Sequence, residues 1–185
     1  PHPATQRREA HPFDRIHVDL VGPQKERSIM GHSYHLTIVD DYSRHGWSFP
    51  LKTKDQTKQV LIDWILRQQN VTKRQLGILH GDRGGEFLNT IMKTFLANNG
   101  SASYWSNPNT PQQNGIAEAR NKTVNRIVRS LILHSKAPKS MWCFALTHAN
   151  TLANLNPHHL LQGHTPTELW TNQLPDCTKL RVWGC

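Results

Sequence analysis

Residues 80–87, His-Gly-Asp-Arg-Gly-Gly-Glu-Phe, and residues 110–118, Thr-Pro-Gln-Gln-Asn-Gly-Ile-Ala-Glu, bracket the stretch that decides the fold of this chain. Each string sets a carboxylate, Asp82 or Glu118, near glycine, and 35 residues separate the two (118 − 82 − 1). Glycine permits backbone shapes beside a ligand that larger residues would obstruct. Together with Asp19, far upstream, they form a candidate site for divalent metal ions and chemistry on a phosphodiester.

The composition favours a polyanionic partner. The 185 residues include 22 Lys and Arg against 13 Asp and Glu, a formal charge of +9 with neutral histidine. Such an excess favours nucleic acid first and a membrane surface second. No apolar run reaches the length that a membrane-spanning helix needs, so we expect no membrane partner.

The cysteines indicate the cellular setting. Cys143, Cys177 and Cys185 are odd in number and widely spaced, without a C-x-x-C pair. They predict neither a disulfide framework nor a zinc ribbon, and they favour a reducing, intracellular environment. The first ten residues are polar and basic, unlike a signal peptide.

Hydrophobic periodicity predicts an α/β domain of ordinary single-domain size. Strands are expected at residues 16–20, 34–39, 45–51, 75–80 and 101–105, the second and third forming a hairpin. Helices are expected at 55–69, 86–98, 115–134 and 139–154. The last six residues resemble the start of a further strand. We place a linker or arm at 1–12, a core at 13–155 and a truncated extension at 156–185.

Asp19 lies inside the first predicted strand. A carboxylate in a core strand is costly unless it is paired, exposed at an edge or bound to metal. For a lone strand aspartate a hydrogen-bonded structural role is the more frequent one. Asp40 and Asp41 lie at the hairpin turn, where Asp commonly accepts backbone N–H groups, and we assign them a structural role. The local pattern favours a structural role for Asp19 also.

The predicted helix at 115–134 has two faces. At about 100° per residue, Ile116, Val124, Ile127, Val128 and Leu131 cluster on one side. Glu118 points nearly opposite, and Lys122, Asn125 and Arg129 lie within about 40° of it. A solvated polar face explains this helix alone, but the Pro- and Gln-rich loop directly before it favours a functional surface.

The element order allows the three carboxylates to converge. If the strand of Asp19 is central and Asp82 ends its neighbour, the helix of Glu118 can cross beside both. Carboxylate oxygens suit Mg²⁺ or Mn²⁺, and without metal three converging carboxylates would raise one another's pKa values. Spacing alone is weak support, because thirteen acidic residues form many triples.

The complete strings resemble a known family. His17-Val18-Asp19-Leu20-Val21-Gly22-Pro23, with the two strings quoted first, look like the three catalytic motifs of retroviral-type integrases, closest to those of copia-type retrotransposons. The resemblance covers residues 11–155 and extends to 180–185. It implies an RNase H-like fold with a mixed five-stranded sheet flanked by helices. It also implies a D,D-35-E triad of Asp19, Asp82 and Glu118 that holds two Mg²⁺ or Mn²⁺ ions.

The same resemblance implies contacts with DNA. Asn114 stands where retroviral relatives have a DNA-contacting Gln, and Lys122 matches a DNA-binding Lys one turn beyond the catalytic Glu. Asn125 replaces a second Lys of many retroviral enzymes. Arg126 and Arg129 are basic residues of the same helix, suited to phosphate contacts that carry no sequence information.

The chain departs from the copia pattern without losing a predicted metal ligand. Copia-type members often read T-D-N-G-G-E-F at the second motif and A-E-R-K-N at the third, where this chain reads GDRGGEF and AEARN. The His-His-Cys-Cys zinc module that precedes the family's core is not found in residues 1–12. We therefore expect a fragment of a polyprotein.

Three functions are compatible with the sequence. The favoured one is strand transfer, which joins the 3′-hydroxyl ends of retroelement DNA to target DNA. The alternatives are an RNase H-like nuclease that uses water, and a domesticated non-catalytic domain that binds nucleic acid. The resemblance implies double-stranded DNA and further copies of the chain as partners. It also implies a virus-like particle in the cytoplasm and then the nucleus as locations.

Overall fold

The fold was obtained as a computed structural model that describes residues 8–82, 87, 89–105, 114–178 and 180–184. Its strands are β1 (Arg15–Val21), β2 (Tyr34–Asp40), β3 (Gly46–Leu51), β4 (Ile78–Gly81) and β5 (Ala102–Trp105). Its α-helices are α1 (Gln56–Thr72), α2 (Thr90–Asn98), α3 (Gly115–Ser135), α4 (Trp142–Leu155) and α5 (Pro166–Thr171).

The strands form one mixed sheet in the order β3-β2-β1-β4-β5. The β1–β2 and β2–β3 pairs are antiparallel, while β1–β4 and β4–β5 are parallel. The five-stranded sheet, the predicted hairpin and the central place of β1 are thereby confirmed. The parallel pairs bring the carboxyl ends of β1 and β4 to the same edge of the sheet.

The helices pack in two groups. A large buried cluster joins the sheet to α1 and α2 through side chains such as Phe13, Leu61 and Met92. A second cluster lies between α3 and α4, around Val124 and Leu146. Trp170 of α5 packs on the first cluster, so residues beyond 155 contribute to the packing. In the described part of the chain, no helix has the length and apolarity to cross a membrane.

Three predicted elements differ from the structure. The helix predicted from residue 86 begins at Thr90, because the side chain of Asn89 caps it by accepting from the Met92 backbone N–H at 2.9 Å. The short helix α5 was not predicted. Residues 180–184 form no strand but end in a turn with Gly184 at φ 86°, so the predicted terminal strand is wrong.

Candidate active site

The pairing of β1 with β4 brings Asp82 towards Asp19. His17 pairs with His80 in parallel register, and the same register continued by two residues sets Asp82 opposite Asp19. Gly81 lies in the close-packed part of this pair, because a Cβ atom there would lie 2.9 Å from Val18 Cγ2. Asp82 follows the last residue of β4 and is exposed.

Helix α3 presents Glu118 beside its buried stripe. The buried side chains of α3 are Ala117, Asn121, Val124 and Val128. Glu118 is half-buried and adjoins this stripe, so the expectation that it points away from the packed side is wrong. The expectation rested on the large apolar residues of the helix alone. It left out Ala117 and Asn121, which bring α3 close to the sheet.

Asn121 connects α3 to the centre of the sheet. Its Nδ2 donates to Asp19 Oδ2 at 2.7 Å, and its Oδ1 accepts from the Thr37 hydroxyl at 2.5 Å. Thr37 is the cross-strand partner of Asp19 in the β1–β2 pair. One amide therefore fixes the orientation of the Asp19 carboxylate from the helix that also bears Glu118. Sequence reasoning missed Asn121, although its position three residues after Glu118 sets it on the same helical side.

The electrostatics show that the three carboxylates interact. Burial, together with the negative charges of Asp82 and Glu118, raises the pKa of Asp19 to about 6. The hydrogen bond from Asn121 opposes this shift because it stabilises the charged form. Asp82 and Glu118 are thus near enough for their charges to act on Asp19.

The donor chemistry fits a hard divalent cation. Carboxylate oxygens are the ligands that Mg²⁺ and Mn²⁺ prefer, and a cation beside Asp19 would oppose the burial and the charge repulsion that raise its pKa. Asp19, Asp82 and Glu118 all belong to the described part of the chain, yet neither they nor any other three His, Cys, Asp or Glu side chains there are grouped closely enough to hold a metal ion. Glu86, in the string after Asp82, lies outside the described residues.

The residues predicted to bind DNA occupy different environments. Lys122, Arg126 and Arg129 are exposed on α3, and Asn125 is half-buried. Asn114 is only 5% exposed, and its Nδ2 donates to the Val18 carbonyl at 3.2 Å. The side chain of Asn114 therefore ties the start of α3 to β1, one residue before Asp19.

A basic groove lies beyond the carboxyl ends of β1 and β3. It was not predicted from the sequence. Its lining includes Lys25, Arg27, Lys52 and Lys54 against the single carboxylate of Asp55. The β1–β2 loop and the β3–α1 connection supply these side chains. They are separated by more than twenty residues in the sequence, so only the β2–β3 pairing brings them together.

Asp40 and Asp41 have the structural role that was predicted. Asp40 accepts from the Phe13 backbone N–H at 2.8 Å and from the Ser43 backbone N–H at 2.7 Å. Asp41 accepts from the Glu9 backbone N–H at 2.7 Å and lies 2.9 Å from His17 Nε2. These contacts fix the hairpin turn and the approach to β1.

Comparisons with known proteins agree with the fold. A profile of the integrase core domain matches residues 9–111, a span that includes Asp19 and Asp82 and ends before Glu118. The retrovirus-related Pol polyprotein from transposon TNT 1-94 of Nicotiana tabacum is 35% identical over 178 residues, or 96% of this chain and 13% of that protein. The corresponding polyprotein from transposon RE2 of Arabidopsis thaliana is 33% identical over 174 residues, or 94% of this chain and 12% of that protein.

A solved structure has the same fold. A chain of the simian T-cell lymphotropic virus intasome, determined by cryo-electron microscopy in complex with the PP2A regulatory subunit B56 gamma, superposes with a TM-score of 0.71. The match covers 94% of this chain and 61% of that one at 16% identity. The likeness confirms the RNase H-like fold. Since the profile spans more than half of the residues and the sequence relatives are retroelement polyproteins, this chain belongs to the retroviral-type integrase core domain family.

Proposed function

We propose that this domain joins the 3′-hydroxyl ends of retroelement DNA to target DNA, with Asp19, Asp82 and Glu118 as the catalytic carboxylates. The observation that supports it most is the effect of Asp82 and Glu118 on the pKa of Asp19. Carboxylates whose charges act on the half-buried Asp19 are suited to binding a divalent cation. The membership of the integrase core domain family supports the same reaction class.

In the proposed reaction, a 3′-hydroxyl oxygen of element DNA forms a bond to a target phosphorus. The bond from that phosphorus to the target's own 3′ oxygen breaks, and the attacking hydroxyl loses its proton. Asp19, Asp82 and Glu118 would hold two Mg²⁺ or Mn²⁺ ions, which lower the pKa of an attacking oxygen and stabilise the charge of a leaving one. Asn121 keeps the Asp19 carboxylate in one orientation throughout.

Double-stranded DNA is the proposed partner on two sides of the site. Lys122, Arg126 and Arg129 supply cations on α3, and Asn125 supplies an amide beside them. The basic groove formed by Lys25, Arg27, Lys52 and Lys54 supplies a second set of phosphate contacts. Such contacts fix the position of DNA without reading its sequence, so we expect weak target preference from this domain.

The sequence covers 13% or less of the length of the polyprotein relatives, so the activity of the whole protein is itself part of the proposal. Two DNA ends must be joined in one event, which favours an assembly of several copies. The proposed locations of the protein are a virus-like particle in the cytoplasm and, during integration, the nucleus.

The product of a single assay distinguishes the three candidate functions. The protein is incubated with Mg²⁺ or Mn²⁺, a labelled duplex that offers a free 3′-hydroxyl, and an unlabelled target duplex. Strand transfer predicts labelled products longer than the substrate, and the Asp82→Asn and Glu118→Gln variants should not form them. Shortened products alone would indicate a nuclease, and salt-sensitive DNA binding without any product would indicate a non-catalytic domain. Equal joining by the parent and both variants would refute the proposed mechanism.

A further inference from the structure

A cavity unrelated to the carboxylate site lies on the other side of α3. It has a volume of about 350 Å³ and lies between the first half of α3, the β2–β3 turn and the chain that follows α4. Most of its lining is apolar and includes Val39, Ile116, Ile127, Ala153 and Leu160. At about 100° per residue, Ile116, Arg120 and Ile127 of this lining lie about 160–180° around α3 from Glu118. The cavity is therefore separate from the surface proposed to act on DNA.

The wall of this cavity contains a guanidinium without a carboxylate partner. Arg120 lines the cavity, and its Nη2 donates to the Asn150 carbonyl, Asn150 Oδ1 and Asn154 Oδ1 at 3.1, 2.7 and 2.6 Å. All three acceptors are neutral. Among the described residues, no Asp or Glu forms an ion pair with Arg120.

The charge on Arg120 persists although the residue is largely withdrawn from water. Burial lowers the pKa of Arg120 to about 10, so the guanidinium is still protonated at neutral pH. A half-buried cation without a counter-ion is unfavourable, and proteins normally pair such a charge. Among the described residues, Nη2 makes all of the hydrogen bonds of this side chain and the buried Nε makes none, so the guanidinium keeps unused N–H donors beside the cavity that it lines.

Two more cationic or potentially cationic groups share the wall. Arg44 and His158 both line the cavity. Among the described residues, the one ion pair of Arg44 is the long contact of 3.4 Å from Nη1 to Asp41 Oδ1, and its buried Nε makes no hydrogen bond there. The charges of Asp41 and Asp40 both act on this guanidinium. Burial lowers the pKa of His158, and the charges of Arg44 and Arg120 lower it further. The two guanidinium groups thus create a positive potential at one end of an apolar cavity.

These properties define the ligand chemistry. A volume of about 350 Å³ is at the lower end of the range for small-molecule sites, which are mostly apolar with a few polar groups that orient the ligand. A carboxylate can accept from guanidinium N–H groups, while an aromatic or branched body fills the apolar part. Inorganic phosphate matches the charge but leaves the apolar lining in contact with water.

We propose that the cavity between α3 and the segment after α4 binds a small organic carboxylate, with its acid group on Arg120 and Arg44 and its apolar body against Ile116, Ile127 and Leu160. This site does not depend on the proposed DNA reaction, since none of its lining residues belongs to the carboxylate triad. It would give the domain a binding site for a small acid close to the start of the helix that bears Glu118.

Phenylacetate and its neutral isostere phenylacetamide provide the direct test. The methyl signals of Ala119 and Ala153, which line the cavity, are followed by NMR during titration of the 185-residue protein, and exposed Ala97 of α2 serves as the reference signal. Phenylacetate should bind with a Kd of roughly 1 mM or tighter, within the limits for a ligand of this size. Phenylacetamide should bind at least about tenfold more weakly, because it lacks the charge.

Charge-removing variants locate the acid group. Arg120→Gln retains an amide donor for Asn150 and Asn154 and should weaken phenylacetate binding by about tenfold, while Arg67→Gln on the exposed face of α1 should leave it unchanged. Arg44→Gln serves as the second variant if Arg120→Gln does not fold. Equal binding of the acid and the amide, shifts that do not include Ala119 and Ala153, or the absence of binding at 10 mM phenylacetate, roughly ten times the expected Kd, would each overturn the proposal.

Discussion

Replacing Asp19 by asparagine should stabilise the metal-free protein at neutral pH while removing a carboxylate of the proposed catalytic site. The pKa of Asp19 is raised from 3.8 to about 6 in the folded protein. A carboxyl group with a raised folded pKa favours the folded state below pH 3.8, and this contribution is lost as the pH rises to about 6. A shift of about 2 pKa units corresponds to about 3 kcal/mol, and partial solvent screening of the half-buried side chain reduces the expected gain to about 1–3 kcal/mol.

Urea unfolding with EDTA present measures this gain. The Asp19→Asn variant should be more stable than the parent at pH 8, and most of the difference should vanish at pH 4, where Asp19 is protonated in the folded parent. The amide oxygen of asparagine can still accept the hydrogen bond from Asn121, so the Asn121 donor keeps a partner. Asp63→Asn, on the exposed face of α1, is the matched control and should change stability by less than about 0.5 kcal/mol.

The stability difference between pH 8 and pH 4 decides whether the reasoning holds. A gain of the same size at both pH values would show that the effect arises from packing and not from charge. A loss of stability at pH 8 would show that the charged Asp19 is not penalised in the folded state. Either result would contradict the electrostatic description of the site.

Three further changes test separate parts of the structure. Asn121→Leu removes the hydrogen-bond donor to Asp19. An NMR titration of the metal-free variant should therefore give a pKa for Asp19 that exceeds the parental value of about 6 by about 1 unit or more. An unchanged titration midpoint would contradict the assigned hydrogen bond. Lys122→Gln should weaken DNA binding equally for all DNA sequences, as measured by fluorescence anisotropy. It should also reduce by about 1 the slope of the logarithm of the binding constant against the logarithm of the salt concentration. A loss of affinity that depends on the DNA sequence would argue against a phosphate contact. A Cβ atom at Gly46 would lie 2.6 Å from Arg120 Nε, so Gly46→Ala should cost about 1–3 kcal/mol of unfolding free energy, and a neutral effect in urea titrations would show that Arg120 can move aside.

The sequence predicted the sheet and the long helices because their periodicity is strong and their local signals agree. The same reasoning could not decide the role of Asp19, because an isolated strand aspartate more often serves structure. The family resemblance implied its proposed role, and the structure adds the pairing of β1 with β4 and the approach of α3, which depend on contacts between residues far apart in sequence. Asn121 was missed for a related reason: a polar residue on the packed side of a helix looks unfavourable until its partners, Asp19 and Thr37, are known.

Prediction from the sequence failed in two different ways for the C-terminal residues. The start of α5 has a readable signal, since Thr165 caps the helix and Glu168 completes a capping box, but a six-residue helix shows little periodicity. Residues 180–184 alternate as a strand would, yet a strand needs a hydrogen-bonded neighbour. In the described residues they pair with no strand, and Trp183 instead packs against the cluster between α3 and α4.

The binding of Mn²⁺ tests most directly whether Asp19, Asp82 and Glu118 form one cation site. The free Mn²⁺ signal in electron paramagnetic resonance is followed as the parent, Asp82→Asn, Glu118→Gln and the Asp63→Asn control are added. Both site variants should bind Mn²⁺ more weakly by roughly tenfold or more, because each loses a ligand and a negative charge. Asp63→Asn should bind Mn²⁺ as the parent does. Unchanged affinity in both site variants would contradict the proposed catalytic centre.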